Sequence, residues 1–524
     1  MKIINFRLKT LFTKKNLLLI GCLAIKEKSK RINRNEIKLE LNEKEYNIKF
    51  VFKRIKRIRK ISILSNFYIV KIPLQDLMTG KIHNKPFFVY KDEDNKIARW
   101  SLRYSIFSNK RKYLNSKVKT IKEKNTSIYV RQTANNRLTV TVREINKTDK
   151  LCEQIKLNLA CLISKFIVNK KIIMYEKEAQ RYEESASVVY EKLIDEGYKN
   201  IYYIIDKNSP QINNVSDKYR RKFIYKYTFK HYLAFFSAKA LIGTESPGHA
   251  IELRVANKYA AQRIYNDNFK YVFLQHGVMY MVSLDSAGRS FFRKNGGMPK
   301  NSKIVVSSKE EADHFINLAG FNEEDLYITG LPKYDKNEWN KDADKIVIMP
   351  TWRPWEYNLV RSDINNSPYY KLIKEIVEAV PEDMKDKIIL MPHPLILDNL
   401  KKSDLSKYIL KNFIYNEVLK DTKVLITDYS SIAYDAFYRG SNVIFYWKEK
   451  DYCMEQYCGH LMLNEDNAFG KICYNGKELK EIIEEEYNSK QKDIYLRRYK
   501  RIVEFDDNKN TERLIEFLKS DKII

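Results

Sequence analysis

Residues 423–435 read KVLITDYSSIAYD, and they contain the pattern that decides the fold. An apolar run ends at Asp428, Ser430 and Ser431 follow it, and helical spacing then continues past Asp435. This order is typical of a buried strand that passes through a short polar turn into a helix. The start of such a helix offers backbone N–H groups, two hydroxyls and a partial positive charge, which suit a diphosphate. An ordinary serine N-cap is the alternative interpretation.

Apolar runs of the same kind recur through the second two thirds of the chain, with helical patterns such as EESASVVYEKLIDEG between them. Strands without internal alternation, separated by helices, indicate buried parallel sheets built from βαβ units. Ten further candidate strands read KIIMY, NIYYII, KFIYKY, KALIGT, YVFLQ, KIVVS, DLYITG, KIVIMP, KIILMP and NVIFYW. These are too many for one mononucleotide-binding fold, so we predict an α/β protein with two Rossmann-like domains, residues 171–300 and 301–524, and a cleft between them.

The N-terminal region has a different composition. Residues 1–150 hold 38 Lys and Arg against 12 Asp and Glu, whereas the rest of the chain holds 58 and 54. Apolar residues alternate with polar ones from about residue 36 to residue 144, which is typical of antiparallel strands and hairpins. We therefore predict a basic, β-sandwich-like accessory module over residues 1–149 that meets an anionic partner, with nucleic acid, anionic lipid and acidic polymer left open. The run KRIKRIRK at 53–60 is either a solvated face or a docking surface.

Two apolar segments of this region invite comparison with membrane anchors. Residues 150–170 are predicted to form an amphipathic helix that links the module to the body and packs against one of them, with a membrane-surface helix as the alternative. Its apolar residues are Leu151, Ile155, Leu159, Leu162, Ile163 and Phe166. The run at 17–25 is much shorter than the roughly 20 residues of a spanning helix, so we interpret it as a core strand or an interfacial anchor.

Six irregularly spaced cysteines predict a reducing compartment and no disulfide framework. Cys453, Cys458 and His460 lack the second ligand pair of a zinc site, so buried thiols are the preferred interpretation.

Ligands of doubly wound sheets bind outside the carboxyl ends of the strands, so the polar residues that follow each apolar run are candidate site residues. Each has a structural alternative: His276 as a turn residue, His393 as a loop cap, and Arg353 as the partner of a surface acid. Taken together they predict a cleft. The residues are Gln275, His276 and Gly277; Gly330, Lys333 and Asp335; Thr351 and Arg353; His393; and Asp428, Ser430, Ser431 and Asp435.

The series QHG, GLPKYD, PTWRP, MPHP and ITDYSSIAYD resembles the CDP-glycerol glycerophosphotransferases that polymerise teichoic acids in Gram-positive bacteria. The resemblance covers about residues 171–490. It implies a GT-B arrangement of two Rossmann domains, an acceptor domain at 171–300 and a CDP-donor domain at 301–524. It also implies transfer of a polyol phosphate to a teichoic-acid-like or capsule polymer with release of CMP, without a metal or a cofactor. By motif, His276 and His393 correspond to catalytic residues. The donor-binding residues correspond to Gly277, Lys333, Thr351, Arg353, Ser430, Ser431 and Asp435.

The chain departs from the family pattern where WHGTP is replaced by QHGVM, which bears on the acceptor side, and where Lys333 replaces an arginine. The partners that the resemblance implies are CDP-glycerol or a related CDP-polyol, an anionic polyol-phosphate acceptor and an anionic membrane surface. The expected location is peripheral, on the cytoplasmic face of the cell membrane. A GT-B glycosyltransferase that uses a nucleotide sugar is the first alternative, and a polyanion-binding scaffold is the second. Nucleic-acid binding rests on charge alone and is not predicted.

Overall fold

The structure is a computed structural model, and contacts within it divide the chain into two compact units. The first unit contains Met1–Lys171, Ile224–Ala238 and Ile251–Phe269, and the second contains Ile172–Phe223, Lys239–Ala250 and Lys270–Ile524. Two segments inside the predicted domain 171–300 therefore belong to the unit of the N-terminal region. The residues that the structure describes are 2–26, 36–52, 55–58, 61–64, 66–78, 83–91, 97–103, 117–132, 137–168, 170–253, 255–264, 269–294, 296–336, 338–356, 359–360, 363–393, 396–410 and 414–524.

The N-terminal region forms antiparallel strands, as the alternating pattern predicts. The described strands lie in sheets of order β1–β2–β8–β5, β11–β10–β3–β4, β12–β13–β14–β9 and β6–β7. A short helix, α1 (Leu74–Met78), follows β8. The strands are β1 (Lys2–Phe12), β2 (Asn16–Lys26), β3 (Lys38–Leu41), β4 (Lys44–Asn47), β5 (Lys49–Phe52), β6 (Ile55–Ile58), β7 (Ile61–Leu64), β8 (Asn66–Pro73), β9 (His83–Asn84), β10 (Phe87–Lys91), β11 (Ile97–Ser101), β12 (Lys117–Ile121), β13 (Thr126–Gln132) and β14 (Leu138–Glu144).

The apolar run at 17–25 is a core strand. It lies in β2, which pairs with β1 on one side and with β8 on the other. Leu17, Leu19 and Leu23 are fully buried. The side chains of residues 53–60 lie outside the described residues, so the interpretation of KRIKRIRK stays a prediction.

The predicted linker helix is α2 (Leu151–Ile163), and it packs on the face opposite to the one that its apolar residues suggest. Glu153, Leu157 and Ala160 are its buried side chains. They face the helix Phe229–Ser237, from which the Tyr232 hydroxyl donates a hydrogen bond of 2.6 Å to Glu153. The longer row of apolar side chains on α2 is exposed, because the buried hydrogen bond between Tyr232 and Glu153 orients the helix. In the described part of the chain, no helix is long and apolar enough to cross a bilayer.

The first parallel sheet contains seven strands in the order β17–β16–β15–β18–β19–β20–β21, which is the Rossmann order with its switch point between β15 and β18. The strands are β15 (Ile172–Tyr175), β16 (Ile201–Ile205), β17 (Phe223–Tyr225), β18 (Ala240–Gly243), β19 (Lys270–Phe273), β20 (Ser302–Val306) and β21 (Leu326–Ile328). The helices between them are α3 (Ser185–Asp195), α4 (Asp217–Arg220), α5 (Phe229–Ser237), α6 (Lys258–Ile264) and α7 (Lys309–Ala319).

The second parallel sheet has the order β23–β22–β24–β25–β26, with its switch point between β22 and β24. Its strands are β22 (Lys345–Ile348), β23 (Ile388–Leu390), β24 (Thr422–Thr427), β25 (Asn442–Tyr446) and β26 (Lys471–Cys473). The helices that follow them are α8 (Pro368–Ala379), α9 (Leu397–Leu400), α10 (Tyr415–Lys420), α11 (Ile432–Tyr438), α12 (Lys450–Tyr457) and α13 (Gly476–Asn488).

The structure differs from the predicted boundary at residue 300, because β20 and β21 pair in the first sheet and the second sheet begins only at Lys345. A buried parallel strand has the same composition in either sheet, so the sequence does not show to which one it belongs. All eleven predicted strands are present. The additional strand β26 is three residues long and has too short an apolar run to be recognised.

The last two helices, α14 (Asp493–Ile502) and α15 (Asn510–Ser520), return to the first sheet. The Ser307 hydroxyl after β20 donates a hydrogen bond of 2.6 Å to the carbonyl of Ile502. Tyr327 of β21 stacks on Phe517, with ring centroids 4.8 Å apart. The end of the chain therefore covers the sheet with which this unit begins.

Asp335, in the GLPKYD segment, binds the first turn of α15. Its two carboxylate oxygens accept the backbone N–H groups of Asn510 and Thr511, at 2.9 and 2.6 Å. Lys509, at the N-cap position, makes no capping bond with its side chain. The carboxylate of Asp335 therefore replaces the missing cap.

We expect Asp335→Ala to destabilise the attachment of α15 by about 1–3 kcal/mol, the value of a helix cap or of a charged hydrogen bond. Amide hydrogen exchange at residues 510–514 measures this opening directly. Asp335→Asn keeps one acceptor oxygen and should show an intermediate rate. Unchanged exchange in Asp335→Ala would mean that packing alone fixes the helix.

Candidate active site

The structure brings five of the predicted site residues together at the carboxyl ends of the two parallel sheets. The ammonium group of Lys333, after β21, lies 2.6 Å from Asp435 Oδ1 of α11 and donates a hydrogen bond of 2.8 Å to the carbonyl of His276. Gly277 lies against Ser431. The cluster of His276, Gly277, Lys333, Ser431 and Asp435 therefore joins the loop after β19 to the start of the helix after β24. We call it the site cluster.

Gly277 is required by the close approach of these two segments. A methyl group at this position would lie 3.0 Å from Ser431 Oγ and 4.0 Å from Asp435 Oδ2. A real side chain would push Ser431 away, so the absence of a Cβ allows the turn to touch the helix start.

The residue before His276 has an unusual backbone conformation. Gln275 is fully buried with φ of 60°, in the left-handed region that residues other than glycine rarely adopt. Its side-chain amide donates hydrogen bonds to the carbonyl of Val305, at 2.6 Å, and to Glu311 Oε1, at 3.2 Å. These bonds hold the strained turn in place and fix the direction in which His276 leaves the sheet.

Glu311, on α7, is the buried centre of this arrangement. Its carboxylate accepts the backbone N–H groups of Met279, at 2.7 Å, and Ser307, at 2.6 Å, besides the amide of Gln275. Burial raises the pKa of Glu311, while these donors act in the opposite direction. The sequence analysis did not identify it, although SKEE at 308–311 has the spacing of a helix capping box. Ser308 does cap the helix, but the glutamate turns toward the QHG loop.

His276 reaches the protein surface, with 43% of its side chain exposed. Its Nδ1 lies 3.8 Å from Glu245 Oε1, and His249 Nε2 lies 4.0 Å from the other oxygen of the same carboxylate. Glu245 follows β18 at the switch point of the first sheet. It is a site residue that the sequence analysis missed, although it directly follows the predicted strand KALIGT.

A second carboxyl group lies near this histidine. Burial raises the pKa of Glu184, and the positive charges of Lys333 and Arg181 act against that rise. Burial likewise raises the pKa of Glu176, which follows β15 and accepts the N–H groups of residues 183, 184 and 187. The switch point of the first sheet is therefore acidic, and it is held by backbone hydrogen bonds.

Thr351 connects the two central strands of the second sheet. Its backbone N–H and its hydroxyl both donate to Asp428 Oδ1, at 2.7 and 2.6 Å. Burial raises the pKa of Asp428, while the bonds from Thr351 act to lower it. Thr351 thus fixes the ends of β22 and β24 beside the DYSS turn. There Ser430 Oγ accepts the N–H of Ile432 at 3.4 Å.

Arg353 is buried and paired with carboxylates. Its side chain is 2% exposed and forms a 2.6 Å ion pair with Glu449 and a 3.4 Å ion pair with Glu356. Burial alone would lower its pKa, but the surrounding groups, with Glu449 and Asp428 among them, raise it above its ordinary value. The donor-binding role of Arg353 stays a prediction.

His393 lies in the second sheet domain beside Trp352, with ring centroids 5.7 Å apart and the planes nearly parallel. Burial lowers its pKa, and the positive charge of Lys177 lowers it further. A neutral imidazole at this position offers a hydrogen bond rather than a full positive charge. Lys177 is exposed and follows β15. The charge of Lys177, from the first sheet, therefore acts on His393 of the second.

Two cavities open between the loops of the two sheets. One has a volume of about 430 Å³, and Tyr182, Glu183, Lys333 and Arg439 are among its lining residues. The other has a volume of about 420 Å³ and is lined by Arg181, Asp206, Asn208 and Tyr415 with others. Both are within the usual size of a small-molecule site.

Among the described residues, no group of three or more His, Cys, Asp or Glu side chains is placed so that it could hold a metal ion. Cys453 is buried and Cys458 is exposed.

We expect Arg353→Ala to lower the stability of the protein by about 3–5 kcal/mol, because Glu356 and Glu449 would both lose their positively charged partner. Arg353→Lys retains the charge and should lose less. Thermal unfolding gives the stability, and calorimetry on the folded fraction gives the affinity for CDP-glycerol. A large loss of affinity with unchanged stability would restore Arg353 to the donor-binding residues.

We expect Glu311→Gln to loosen the QHG turn. The carboxylate accepts on both oxygens, from Met279 and Gln275 on Oε1 and from the Ser307 N–H on Oε2, whereas an amide has one acceptor oxygen. At least one buried donor would therefore lose its partner, at a cost of about 1–3 kcal/mol. Asp313→Asn, at an exposed position of the same helix, is the control. Thermal unfolding and turnover should both fall in Glu311→Gln. Equal behaviour of the two variants would show that the turn does not depend on the carboxylate.

Comparison with known proteins agrees with this geometry. A minor teichoic acid biosynthesis protein, GgaB of Bacillus subtilis, is 27% identical over 344 residues, which are 60% of this chain and 35% of that protein. The teichoic acid glycerol-phosphate primase of the same organism is 22% identical over 238 residues, 41% of this chain and 57% of the primase. The chain thus spans between about a third and three fifths of the curated relatives that it matches.

Among solved structures, the wall teichoic acid polymerase TagF aligns with a TM-score of 0.52 at 17% identity, over 72% of this chain and 95% of that one. That likeness concerns the fold. It confirms an α/β architecture with parallel sheets, similar to that of the polymerase.

The family described as CDP-glycerol:poly(glycerophosphate) glycerophosphotransferase matches residues 158–520, more than two thirds of the chain. The resemblance seen in the QHG, GLPKYD, PTWRP, MPHP and ITDYSSIAYD segments is confirmed. The chain therefore belongs to the family of CDP-glycerol:poly(glycerophosphate) glycerophosphotransferases.

Proposed function

We propose that the protein transfers a polyol phosphate, in the first instance glycerol phosphate, from a CDP-activated donor to a hydroxyl group of a teichoic-acid-like or capsule polymer, releasing CMP. The observation that carries the proposal is the site cluster, which unites motif residues from both parallel sheets in a chain of this family. The curated relatives, whose names refer to teichoic acid biosynthesis, support the same class of polymer.

The proposed chemistry asks three things of the protein. It must position the acceptor hydroxyl, accept the proton of that hydroxyl, and stabilise the charge on the diphosphate as CMP leaves. His276 is the base in this proposal, since histidine is the commonest base at neutral pH and this side chain faces the cleft. Glu245, near Nδ1, orients the ring so that Nε2 points to the acceptor.

In this proposal, the CDP donor is bound by hydrogen bonds more than by positively charged side chains. Lys333 is already paired with Asp435, and Arg353 is enclosed by carboxylates. Ser430 and Ser431, at the DYSS turn, and the imidazole of His393 are the groups that we assign to the CDP diphosphate. Lys177, the exposed cation near His393, adds positive charge at the same end of the sheets.

We also propose that the protein works at the cytoplasmic face of the cell membrane as a peripheral enzyme. The N-terminal module, which we propose to be sandwich-like, carries most of the excess positive charge of the chain. A surface of that sign suits an anionic leaflet and an anionic polyol-phosphate acceptor. We include neither a metal nor nucleic acid among the partners.

We expect His276→Ala to lower the rate of CMP release by roughly 10²–10⁴-fold, the usual contribution of a general base, with a much smaller change in donor affinity. The assay contains labelled CDP-glycerol and a short polyol-phosphate acceptor, and calorimetry gives the affinity. Glu245→Gln should lower the rate less, because it orients the base without replacing it. His460→Ala, at another exposed histidine, serves as the control.

Near-normal turnover of His276→Ala would make this histidine a structural residue. A parallel screen with CDP-ribitol, UDP-sugars and CMP-sugars separates the proposal from a nucleotide-sugar glycosyltransferase of the same fold, since the fold alone does not fix the donor.

A further inference from the structure

A second histidine lies beside the carboxylate to which we assign the orientation of His276. Glu245 and His249 are four residues apart in the segment that follows β18. His276 Nδ1 lies 3.8 Å from Glu245 Oε1, and His249 Nε2 lies 4.0 Å from Glu245 Oε2. The carboxylate therefore lies between two imidazole rings, with a different oxygen near each of them.

The backbone of Glu245 is fixed independently of its side chain. Its carbonyl oxygen accepts hydrogen bonds from the hydroxyl groups of Tyr175, at 3.0 Å, and Tyr271, at 2.5 Å. Both tyrosines are fully buried in the first parallel sheet. The carboxylate itself is only partly buried, so the direction in which its oxygens point depends on the side chains beside it.

The hydrogen bonding of His249 determines which of its ring nitrogens carries the proton. The side chain is buried, and its Nδ1 accepts the backbone N–H of Glu178 at 3.1 Å. A ring nitrogen that accepts a hydrogen bond carries no proton, so the proton of the neutral imidazole is on Nε2. This is the nitrogen that faces Glu245. His249 therefore presents a donor to the carboxylate.

The backbone that holds Nδ1 of His249 is itself well fixed. Glu178 and Ala179 lie in the turn after β15 and both have left-handed backbone conformations, with φ of 54° and 53°. The N–H of Ala179 donates to the carbonyl of Glu176 at 2.9 Å, and the carbonyl of Ala179 accepts the N–H of Asp206 at 2.5 Å. The imidazole is thus anchored to the segments that follow β15 and β16.

We propose that His249 is a positioning residue of the candidate active site, which donates from Nε2 to Glu245 and so directs the other carboxylate oxygen to Nδ1 of His276. The proton of His276 is then held on Nδ1, which leaves the lone pair of Nε2 for the acceptor hydroxyl. Hydrogen bonds of this kind commonly reach their final length only in the substrate complex. The inference rests on the proposed role of His276 as the base and adds a group that acts through Glu245.

Two substitutions separate the two nitrogens of His249. Asparagine places its amide near the position of Nδ1, so it can still accept from Glu178 but does not reach Glu245. Glutamine places its amide near the position of Nε2 and can still donate to Glu245. We expect His249→Asn to lower the rate of CMP release about 10-fold, the rate equivalent of a hydrogen bond to a charged group, with little change in KM. His249→Gln should retain most of the original rate.

His231→Asn is the matched control. His231 is also buried, and its Nδ1 accepts a backbone N–H, that of Tyr227, at 3.1 Å. Both residues belong to the other compact unit of the chain. The control therefore replaces the same ring in the same kind of bond, and its rate of CMP release should equal that of the original protein.

The ring nitrogens report the positioning directly, without an assay of turnover. The full chain is labelled with ¹⁵N-histidine, and its spectrum is recorded at about pH 8, where an ordinary imidazole is neutral. We expect the original protein to carry the proton of His276 on Nδ1 and that of His249 on Nε2. In His249→Asn, the ring of His276 should show a mixture of both tautomers, whereas His249→Gln should keep the original one. The signals lost in His276→Ala and in the His249 variants assign the resonances.

A proton on Nδ1 of His249 in the original protein would overturn the inference, and this observation requires no variant to fold. An unchanged tautomer of His276 in His249→Asn would also overturn it. Equal loss of rate in His249→Asn and His249→Gln would overturn it as well, because packing of the ring would then explain both. If the original protein released no CMP from any CDP-polyol, the proposed function would fail, while the tautomers of the two histidines would still decide the role of His249.

Discussion

The ammonium group of Lys333 is the point at which the two parallel sheets depend on each other. It is bonded at once to Asp435 of the second sheet domain and to the backbone of His276 in the first. Both charged side chains are largely buried, so each would be costly without the other. Lys333 therefore connects the loop of the candidate base to the DYSS helix. Gly277 and Ser431 lie close together beside this connection.

The sequence predicts the strands well because their signal is local. Eleven apolar runs become eleven parallel strands, and polar residues at their ends meet where such ends must meet. The sheet to which a strand belongs is not local information, which is why the predicted boundary at residue 300 misplaces β20 and β21. The orientation of α2 has the same cause. Its packed face is set by Tyr232 and Asn257, about 80 to 100 residues further along the chain.

Sequence reasoning left out Glu311 and Glu245, and it did not show that Arg353 is buried. Arg353 occupies a motif position and has the side chain of a ligand-binding cation. In the structure it is buried and forms an ion pair with Glu449. Glu311 looks like a capping residue and instead holds the QHG turn. Glu245 directly follows a predicted strand, but only the geometry places its carboxylate near His276. A motif gives the type of a side chain and its place along the chain, whereas its role depends on which opposite charge is near.

The return of α14 and α15 to the first sheet has a consequence for the time course of synthesis. The N-terminal part of a chain leaves the ribosome first, so β15 to β21 emerge before α14 and α15, the helices that cover them. Until residues 493–520 are made, the surfaces that later contact Ile502, Asn510 and Phe517 face the solvent. Exposed apolar surface in a nascent chain favours aggregation and the binding of chaperones. The first sheet can therefore reach its final state only after α14 and α15 have left the ribosome, and a chain stopped after α13 would carry an intact second sheet beside an unfinished first one.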